Sequence, residues 1–323
     1  MPPRSPLPPR LGLDAAWMRT PDADPANAQP WPTLRDWLAH RLSKHIDVDA
    51  FFADERFVDE AGHPIRINDA YRANTFVWFH RDLLPETPVP GKIRIVHRDE
   101  RIVVVDKPPF LSSIPRGRHV MESVVVRMRA ELGLRELTPM HRLDRVTSGL
   151  LLMATERRWR GAYQSMFMRG EVHKVYRAAA PIRNDLEFPV TVHNHLRKQR
   201  GVWQGEVVPG AEPNAESLVE LERALPAGWG VSGAGTQTPG TPHQGVYRLT
   251  PRTGKTHQLR LHMWGLGIPI AGDPLYPEVQ DLAVDDFSTP LQLLASELRF
   301  TDPVDGSARE FRSSREFPIE SAA

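Results

Sequence analysis

The segment 141–154 constrains the fold of this chain more than any other part of its sequence. Asp144 lies between Arg142 and Arg145, a Thr-Ser-Gly turn follows, and residues 150–154 are all apolar. Five consecutive apolar residues after a turn are typical of a short strand that is buried on both faces. The sequence therefore predicts a carboxylate held next to a buried strand. Taken alone, Asp144 is either a chemically active group or a turn residue with Arg145 as its surface partner.

From residue 93 onward, the hydrophobic pattern predicts an α+β domain. Three windows have apolar residues at helical spacing and end at a glycine, while shorter apolar runs between them indicate strands. The predicted helices are 121–132, 155–169 and 256–264, and the predicted strands are 102–105, 150–154, 172–178, 216–221, 245–250 and 293–300. Residues 227–245 are rich in Gly, Pro, Ser and Thr, so we predict a surface loop inserted between two strands.

The N-terminal part of the chain has a different composition. Residues 1–32 contain nine prolines and few aliphatic residues, which predicts an irregular leader. From Thr33 the pattern predicts a helix followed by short strands, so residues 33–90 form a small N-terminal α/β module. Three prolines between residues 85 and 91 indicate a linker. Residues 91–323 then form the larger domain.

The composition excludes several kinds of site and location. The chain has no cysteine, which excludes a disulfide scaffold, a cysteine-ligated metal site and a thiol nucleophile. No run of about 18 apolar residues is present, so we predict no association with a membrane. The first residues lack the apolar core of a signal peptide. We therefore expect a cytoplasmic protein.

Two short motifs resemble nucleotide-binding loops but lack the context that these loops need. A GxGxxG pattern at 228–233 falls in the predicted loop insertion, with no strand before it. Gly254-Lys255-Thr256 lacks the earlier glycine of a phosphate loop, because position 249 is leucine. Neither of the close histidine pairs has a third ligand to complete a metal site: His193 with His195, and His257 with His262. The sequence predicts neither a nucleotide cofactor nor a metal.

Charge is distributed unevenly along the chain. The whole protein has a formal net charge of +1, but residues 92–200 carry 22 basic and 11 acidic side chains, a net charge of +11. Such a segment is typical of a surface that binds a polyanion such as a nucleic acid. The alternative is a solvated basic face that the acidic C-terminal third neutralises. Charge alone does not decide between the two interpretations.

Four motifs together resemble the pseudouridine synthases, specifically the family of ribosomal large-subunit pseudouridine synthase A. HRLDRVTSGLLL at 141–152 resembles the family signature, and VVDKP at 104–108 resembles the strand and loop upstream of it. KVYRA at 174–178 and TGKTHQLRLH at 253–262 resemble the next two motifs, and GIPIAGDPLY at 267–276 resembles the turn that follows. Four motifs in the right order make coincidence improbable.

The resemblance implies a fold and a reaction. The fold is a mixed, mainly antiparallel sheet flanked by helices and loops, and the enzyme is an isomerase that converts uridine in RNA to pseudouridine without a cofactor. It implies that Asp144 is the catalytic aspartate, that Arg260 pairs with it, and that Tyr176 stacks on the flipped base. Alone, Tyr176 would be an ordinary strand aromatic and Arg260 a residue of a helix surface. The order of their motifs around Asp144 in the sequence favours the catalytic roles over these ordinary ones.

Several polar residues within the same motifs are predicted to contact RNA. Among them, the resemblance implies that Arg142 fills the gap left by the flipped nucleotide. The predicted RNA-binding residues are Lys107, His141, Arg142, Arg145, Lys174, Lys255, His257 and Gln258. The expected partner is ribosomal or transfer RNA, and the expected state is a monomer.

The chain departs from the family pattern in a few places. Phe110 stands where the upstream loop has glycine, and Leu294 and Asp302 stand where histidines are frequent. The segment 227–245 is additional. These differences affect which RNA fits more than they affect the chemistry.

Two other hypotheses compete with an RNA uridine isomerase. A non-catalytic RNA-binding or ribosome-assembly factor on the same fold would need no acid–base set, so the joint presence of Asp144, Tyr176 and Arg260 argues against it. A hydrolase that uses Asp144 would need a second carboxylate or a metal set, and neither accompanies it.

Overall fold

The polypeptide divides between residues 85 and 86 into two units, each with its own buried core. A computed structural model describes residues 3–27, 29–117, 119–226, 229 and 243–319. Most of the predicted loop insertion 227–245 lies outside the described residues, and its last residues begin a strand. Over the same ranges, no helix is both long enough and apolar enough to cross a membrane.

The described part of the first unit contains two strands and two helices: β1 (Ala16–Arg19), α1 (Leu34–Arg41), α2 (Val48–Ala53) and β2 (Phe76–Phe79). Strands β1 and β2 pair antiparallel. Helix α1 begins where the sequence predicts it, because the Thr33 hydroxyl accepts the Asp36 N–H at 3.1 Å. Asp47 caps α2 in the same way through the Ala50 N–H. Aromatic side chains from both helices and from β2 fill the core, and Ala16 and Met18 of β1 pack against it.

Part of the predicted irregular leader is ordered. Strand β1 lies within residues 1–32, and Thr20, at its end, is fully buried. The Thr20 hydroxyl donates to the Arg72 carbonyl at 2.7 Å and accepts the Thr75 N–H at 2.8 Å. The prolines of this segment stand before and after β1 rather than inside it. A four-residue strand is too short to be visible in the composition of a 32-residue window.

A ten-stranded sheet forms the framework of the second unit, and a separate two-stranded ribbon accompanies it. The strands are β3 (Arg94–Arg98), β4 (Ile102–Lys107), β5 (Thr138–Pro139), β6 (Ser148–Ala154), β7 (His173–Pro181), β8 (Val190–Asn194), β9 (Leu196–Arg197), β10 (Glu206–Val207), β11 (Ala215–Ala224), β12 (Gln244–Pro251), β13 (Leu293–Thr301) and β14 (Ala308–Arg312). The main order is β3-β4-β6-β13-β7-β12-β11-β8, while β14 pairs with β13 and β5 with β6. The ribbon consists of β9 and β10.

One parallel pairing, between β6 and β13, makes this mainly antiparallel sheet mixed. It places Gly149 opposite Ala295, and Gly149 has a φ of +108°. A Cβ atom at Gly149 would collide with the Ala295 backbone, so the close approach of the two strands requires glycine here. The glycine of the Thr-Ser-Gly sequence is therefore needed at the start of β6.

Three helices accompany the sheet: α3 (Val124–Leu132), α4 (Arg157–Met168) and α5 (Gln258–Gly265). Helix α3 ends at Gly133 in the left-handed conformation, as its sequence predicts. Helix α4 contributes Tyr163 and Met166 to a core that also contains Leu150 and Leu152 of β6. All seven residues of β6 are buried, which confirms the buried strand after Asp144. The predicted mixed, mainly antiparallel α+β fold is confirmed.

Candidate active site

Asp144 lies in the loop that connects β5 to β6. Its carbonyl accepts the Thr147 N–H at 3.1 Å, which closes a turn directly before the buried strand. Its side chain is 31% exposed. Asp144 thus lies in a closed turn next to a buried strand, and its carboxylate remains accessible to a large substrate.

Arg260 comes from the first turn of α5 to meet this carboxylate. Its Nη1 lies 3.3 Å from Asp144 Oδ2, and its side chain is only 2% exposed. The two residues are separated by 116 positions in the sequence. The structure therefore brings together the two charged residues that the resemblance pairs.

Asp273 holds Arg260 from the other side and was not predicted as a site residue. Its carboxylate accepts Arg260 Nε at 2.8 Å and Nη2 at 2.6 Å, and both side chains are buried. Burial lowers the pKa of Arg260, but the hydrogen bonds and charge of Asp273, with the charge of Asp144, outweigh it and raise the pKa. The guanidinium is therefore a fixed positive charge beside Asp144.

His257 and Tyr276 complete the surroundings of the carboxylate. His257 Nε2 lies 3.8 Å from Asp144 Oδ2, and His257 Nδ1 lies 2.9 Å from the Tyr276 hydroxyl. Burial lowers the pKa of His257, although the nearby carboxylates oppose this shift. Tyr276 also packs its ring 5.2 Å from the Arg260 guanidinium carbon. Like Asp273, Tyr276 was not predicted as a site residue.

Tyr176 reaches the site through the register of the sheet. On β7 it pairs with Ala295 of β13, and Ala295 pairs on its other side with Gly149 of β6. Partial burial, together with the negative charge of Asp144, raises the pKa of the Tyr176 hydroxyl. This hydroxyl is therefore protonated at neutral pH. Of the three residues predicted as catalytic, Arg260 and Tyr176 thus lie near the accessible carboxylate of the third, Asp144.

Comparison with known proteins agrees with this arrangement. Residues 101–264 match the family model described as RNA pseudouridylate synthase. The dual-specificity RNA pseudouridine synthase RluA of Pasteurella multocida (strain Pm70) is 32% identical over 67% of this chain and 90% of its own length. The chain belongs to the RNA pseudouridylate synthase family. Enzymes of this family are isomerases that convert uridine in RNA to pseudouridine.

Further similarities support the assignment. The tRNA pseudouridine synthase C of Vibrio vulnificus (strain CMCP6) is 32% identical over 65% of this chain and 86% of its own length. The solved structure of human RNA Pseudouridylate Synthase Domain Containing 1 has a TM-score of 0.54 and 24% identity. It covers 70% of this chain and 86% of that protein, which shows a common fold.

Lys107, which the sequence predicts to contact RNA, is engaged inside the synthase. Its side chain is fully buried, and its ammonium donates to the carbonyls of Pro108 at 3.0 Å, Leu111 at 2.7 Å and Arg145 at 2.9 Å. Burial, with the positive charge of Arg315 nearby, places the pKa of Lys107 well below its ordinary value. Lys107 therefore ties the upstream loop to the residue that follows Asp144.

Gln258 and His141 are also engaged inside the synthase. Gln258 is buried; its amide oxygen accepts from Thr253 and Lys255, and its amide nitrogen donates to Glu216 and Ser217. These bonds fix the turn before α5. They engage both ends of the Gln258 amide within the protein, and its contact with RNA stays a prediction.

His141 Nε2 accepts the Leu152 N–H at 3.1 Å, and its ring stacks on Phe167 at 4.6 Å. Burial lowers the pKa of His141 to about 3, which keeps the ring neutral. We expected His141 to bind RNA, but this nitrogen is occupied and the ring carries no charge for a phosphate.

The remaining predicted RNA-binding residues differ in exposure. Arg142 and Lys255 are exposed, and neither side chain forms a hydrogen bond or ion pair with a residue that the structure describes. Lys174 is partly buried and donates to the Thr253 carbonyl at 3.3 Å. Arg145 is partly buried and lies 3.4 Å from the Phe110 carbonyl. Arg142 and Lys255 are thus the basic side chains of this set that are free to meet a phosphate.

The departures from the family pattern have structural explanations. Phe110 has a φ of +64°, the left-handed backbone that glycine adopts easily, and its buried ring packs 5.4 Å from Phe287. Leu294 is buried in β13 opposite Ser148. Asp302 is buried and accepts the Tyr163 hydroxyl at 3.0 Å. Leu294 and Asp302 therefore belong to the core.

No three His, Asp or Glu side chains converge to hold a metal ion in the residues that the structure describes. The histidines near the site bond to protein groups instead: His257 to Tyr276, and His262 to Asn194 at 3.0 Å.

Proposed function

We propose that this chain isomerises uridine to pseudouridine in structured RNA, with the Asp144 carboxylate acting at C1′ of the target nucleotide. One observation carries the proposal: an accessible carboxylate is paired at 3.3 Å with a buried guanidinium that is itself held by Asp273. Such a preorganised charge stabilises developing charge without reorganisation.

The reaction needs no external reactant. When the C1′–N1 bond breaks, its electron pair stays with the uracil, and Asp144 either bonds to C1′ or stabilises the positive charge there. The uracil turns and C5 forms the new bond to C1′. The proton on C5 leaves and N1 gains a proton, so the product has the composition of the substrate.

Tyr176 is proposed to hold the base during this turn. Its ring is half-buried beside the carboxylate, and its raised pKa keeps the hydroxyl protonated. A protonated phenol can stack on the flipped base and can donate a hydrogen bond to it. It can also pass a proton, which the reaction requires at N1.

The RNA is proposed to be ribosomal or transfer RNA. The exposed Arg142 and Lys255 support a contact with phosphates, and residues 92–200 carry the positive charge of the chain. One relative is named for dual specificity towards RNA and another for tRNA, which supports transfer RNA as a substrate and a specificity that extends to more than one RNA. A cytoplasmic location and a monomeric state remain proposals from the sequence, which microscopy of a fluorescent fusion and size-exclusion chromatography would test.

A non-catalytic RNA-binding factor is the competing function. Binding alone does not need an accessible carboxylate, which repels phosphate. It also does not need a buried Arg260–Asp273 pair directed at that carboxylate, because burying charges costs free energy.

The proposal is tested by comparing RNA from cells that lack the gene with RNA from cells that express the wild type or Asp144→Asn. Pseudouridines are mapped in ribosomal and transfer RNA by chemical modification and sequencing. We expect a defined set of sites that the wild type restores and Asp144→Asn does not, because the amide has the shape but not the charge. The exposed Asp281 provides a matched Asp281→Asn control, which should restore all sites. Restoration of the sites by Asp144→Asn would contradict the proposal.

A further inference from the structure

The two oxygens of the Asp144 carboxylate have different environments. Oδ2 lies 3.3 Å from Arg260 Nη1 and 3.8 Å from His257 Nε2. Oδ1 accepts no hydrogen bond from any residue in the described ranges. Oδ2 thus faces two nitrogen atoms, and Oδ1 is open to a substrate.

His257 is itself held from behind. The Tyr276 hydroxyl accepts the Gly205 N–H at 2.7 Å and lies 2.9 Å from His257 Nδ1. The carboxylate on the other side favours a hydrogen on Nε2, so Nδ1 accepts the hydroxyl proton of Tyr276. A continuous path of polar contacts therefore runs from Gly205 through Tyr276 and His257 to Asp144.

The backbone at His257 is unusual. Its φ is +56° and its ψ is 19°, in the left-handed region that glycine and asparagine adopt more easily than histidine. Such strain persists only where the surroundings impose it, and it is concentrated at functional sites. The conformation places the imidazole at the N-terminus of α5, the helix that carries Arg260.

We propose that His257 is a positioning residue, which together with Arg260 fixes Oδ2 of Asp144 so that Oδ1 is the atom that acts on C1′. The inference rests on the proposed function, since it assigns a task to the surroundings of the catalytic carboxylate. It also assigns Tyr276 the task of orienting the imidazole.

The proposal makes the reaction sensitive to the charge on His257. The groups that face the imidazole are Asp144 in the loop before β6, Arg260 on its own helix, Asp273 and Tyr276 after that helix, and Lys198 near the β9–β10 ribbon. Burial makes the pKa of His257 lower than its ordinary value of 6.5, so the ring is neutral at pH 7. As the pH falls through this pKa, a full positive charge arises beside Oδ2 and weakens the carboxylate as a nucleophile or charge stabiliser.

The test compares single-turnover rates of the wild type, His257→Gln and His257→Asn between about pH 5 and pH 9. Glutamine can place an amide N–H near the position of the imidazole Nε2 but does not titrate. We therefore expect a rate within a few-fold of wild type at pH 8. We also expect the fall in rate that the wild type shows below pH 6.5 to be absent. Asparagine tolerates the left-handed backbone but is too short to reach Asp144. We expect it to lose about tenfold or more in rate, with little change in KM.

His262→Gln is the matched control. His262 is buried on the same helix, and its Nε2 bonds to Asn194 Oδ1 at 3.0 Å, away from Asp144. This variant should keep the shape of the wild-type pH profile. Tyr276→Phe leaves the imidazole in place and removes the hydroxyl that orients it. We expect this variant to shift the pH at which the rate falls on the acid side. It tests the same role if a His257 variant fails to fold.

The outcomes separate this inference from the proposed function. If the wild type forms no pseudouridine, the proposed function fails. If the wild type is active and the pH profiles of His257→Gln and Tyr276→Phe match the wild-type profile, or His257→Asn keeps the wild-type rate, the positioning role is wrong while the proposed function stands.

Discussion

Asp273 occupies two of the three nitrogen atoms of the Arg260 guanidinium, Nε at 2.8 Å and Nη2 at 2.6 Å, which leaves Nη1 to reach Asp144. This division fixes the direction of the guanidinium as well as its charge. The Asp273 Oδ1 atom also accepts the N–H groups of Leu275 and Tyr276, so the turn after α5 is fixed to the same carboxylate.

Asp273→Asn should damage both stability and catalysis. Breaking a buried ion pair by removing one charge costs about 3–5 kcal/mol, because the remaining charge is left uncompensated. We expect a fall of this size in the free energy of unfolding, measured with urea, and a drop of roughly tenfold to a hundredfold in single-turnover rate as Arg260 loses its direction. Glu171→Gln, at the exposed pair with Arg169, should change neither quantity appreciably. An Asp273→Asn protein with wild-type rate would show that Arg260 needs no second partner.

Lys107→Met should affect the stability of the protein, whereas Lys255→Met should affect the salt dependence of RNA binding. The buried Lys107 ammonium serves three carbonyls, and leaving buried acceptors without a donor costs about 1–3 kcal/mol. We expect a lower free energy of unfolding and a lower rate, with an unchanged salt dependence of RNA affinity. Lys255→Met should leave stability unchanged and reduce the salt slope of RNA binding by about 1, because one phosphate contact is lost. Urea unfolding measures the stability of each variant, and filter binding at several salt concentrations measures its salt slope. A smaller salt slope with unchanged stability for Lys107→Met would show that Lys107 contacts RNA.

Arg142 is expected to matter most when the target uridine is stacked in a stem. Removing a base from a stack costs a few kcal/mol, and an exposed guanidinium two residues from Asp144 can occupy the space it leaves. Arg142→Ala should therefore lose more single-turnover rate on a stem–loop than on a short unstructured RNA with the same target. Arg142→Lys should recover only part of the loss, because an ammonium does not stack as a planar guanidinium does. Equal losses on both RNAs would leave Arg142 as a general phosphate contact.

The effect of an N-terminal deletion on stability should depend on whether the deletion removes β1. Deletion of residues 1–9 removes no residue of β1 and should leave the thermal unfolding of the protein nearly unchanged. Deletion of residues 1–32 removes β1 and Thr20, which exposes the partner edge of β2 and leaves the Thr75 N–H without its acceptor. We expect faster limited proteolysis within residues 33–85 and lower solubility. Equal proteolysis of both deletions would show that β1 is dispensable.

Much of the sheet could be predicted because its strands are locally distinctive. Buried strands such as β4 and β6 are apolar throughout, and helix ends at Thr33 and Gly133 carry ordinary capping residues. The pairing of Asp144 with Arg260 was predicted from the resemblance to the family. Strand β1 was not, since four residues among prolines provide no periodic signal.

The roles of polar residues within the motifs were harder to predict. Lysine and glutamine are usually exposed, so Lys107 and Gln258 were assigned to RNA, whereas tertiary packing surrounds them with hydrogen-bond partners. Asp273 and Tyr276 stand in the 267–276 segment that resembles the family. The sequence contained them, but only the fold brings their side chains to Arg260 and His257.

The parallel pairing of β6 with β13 has a consequence for the order in which the protein is made. Ser148 emerges from the ribosome almost 150 residues before its partner Leu294. Until then β6 can pair with β4 but has an unfilled edge, and the turn that carries Asp144 has no β13 beneath it. Contacts so distant in sequence form slowly and only after the intervening chain is available. A nascent chain therefore carries the whole signature motif long before it can act on RNA, and the ability to modify uridine arises only after β13 has been synthesised.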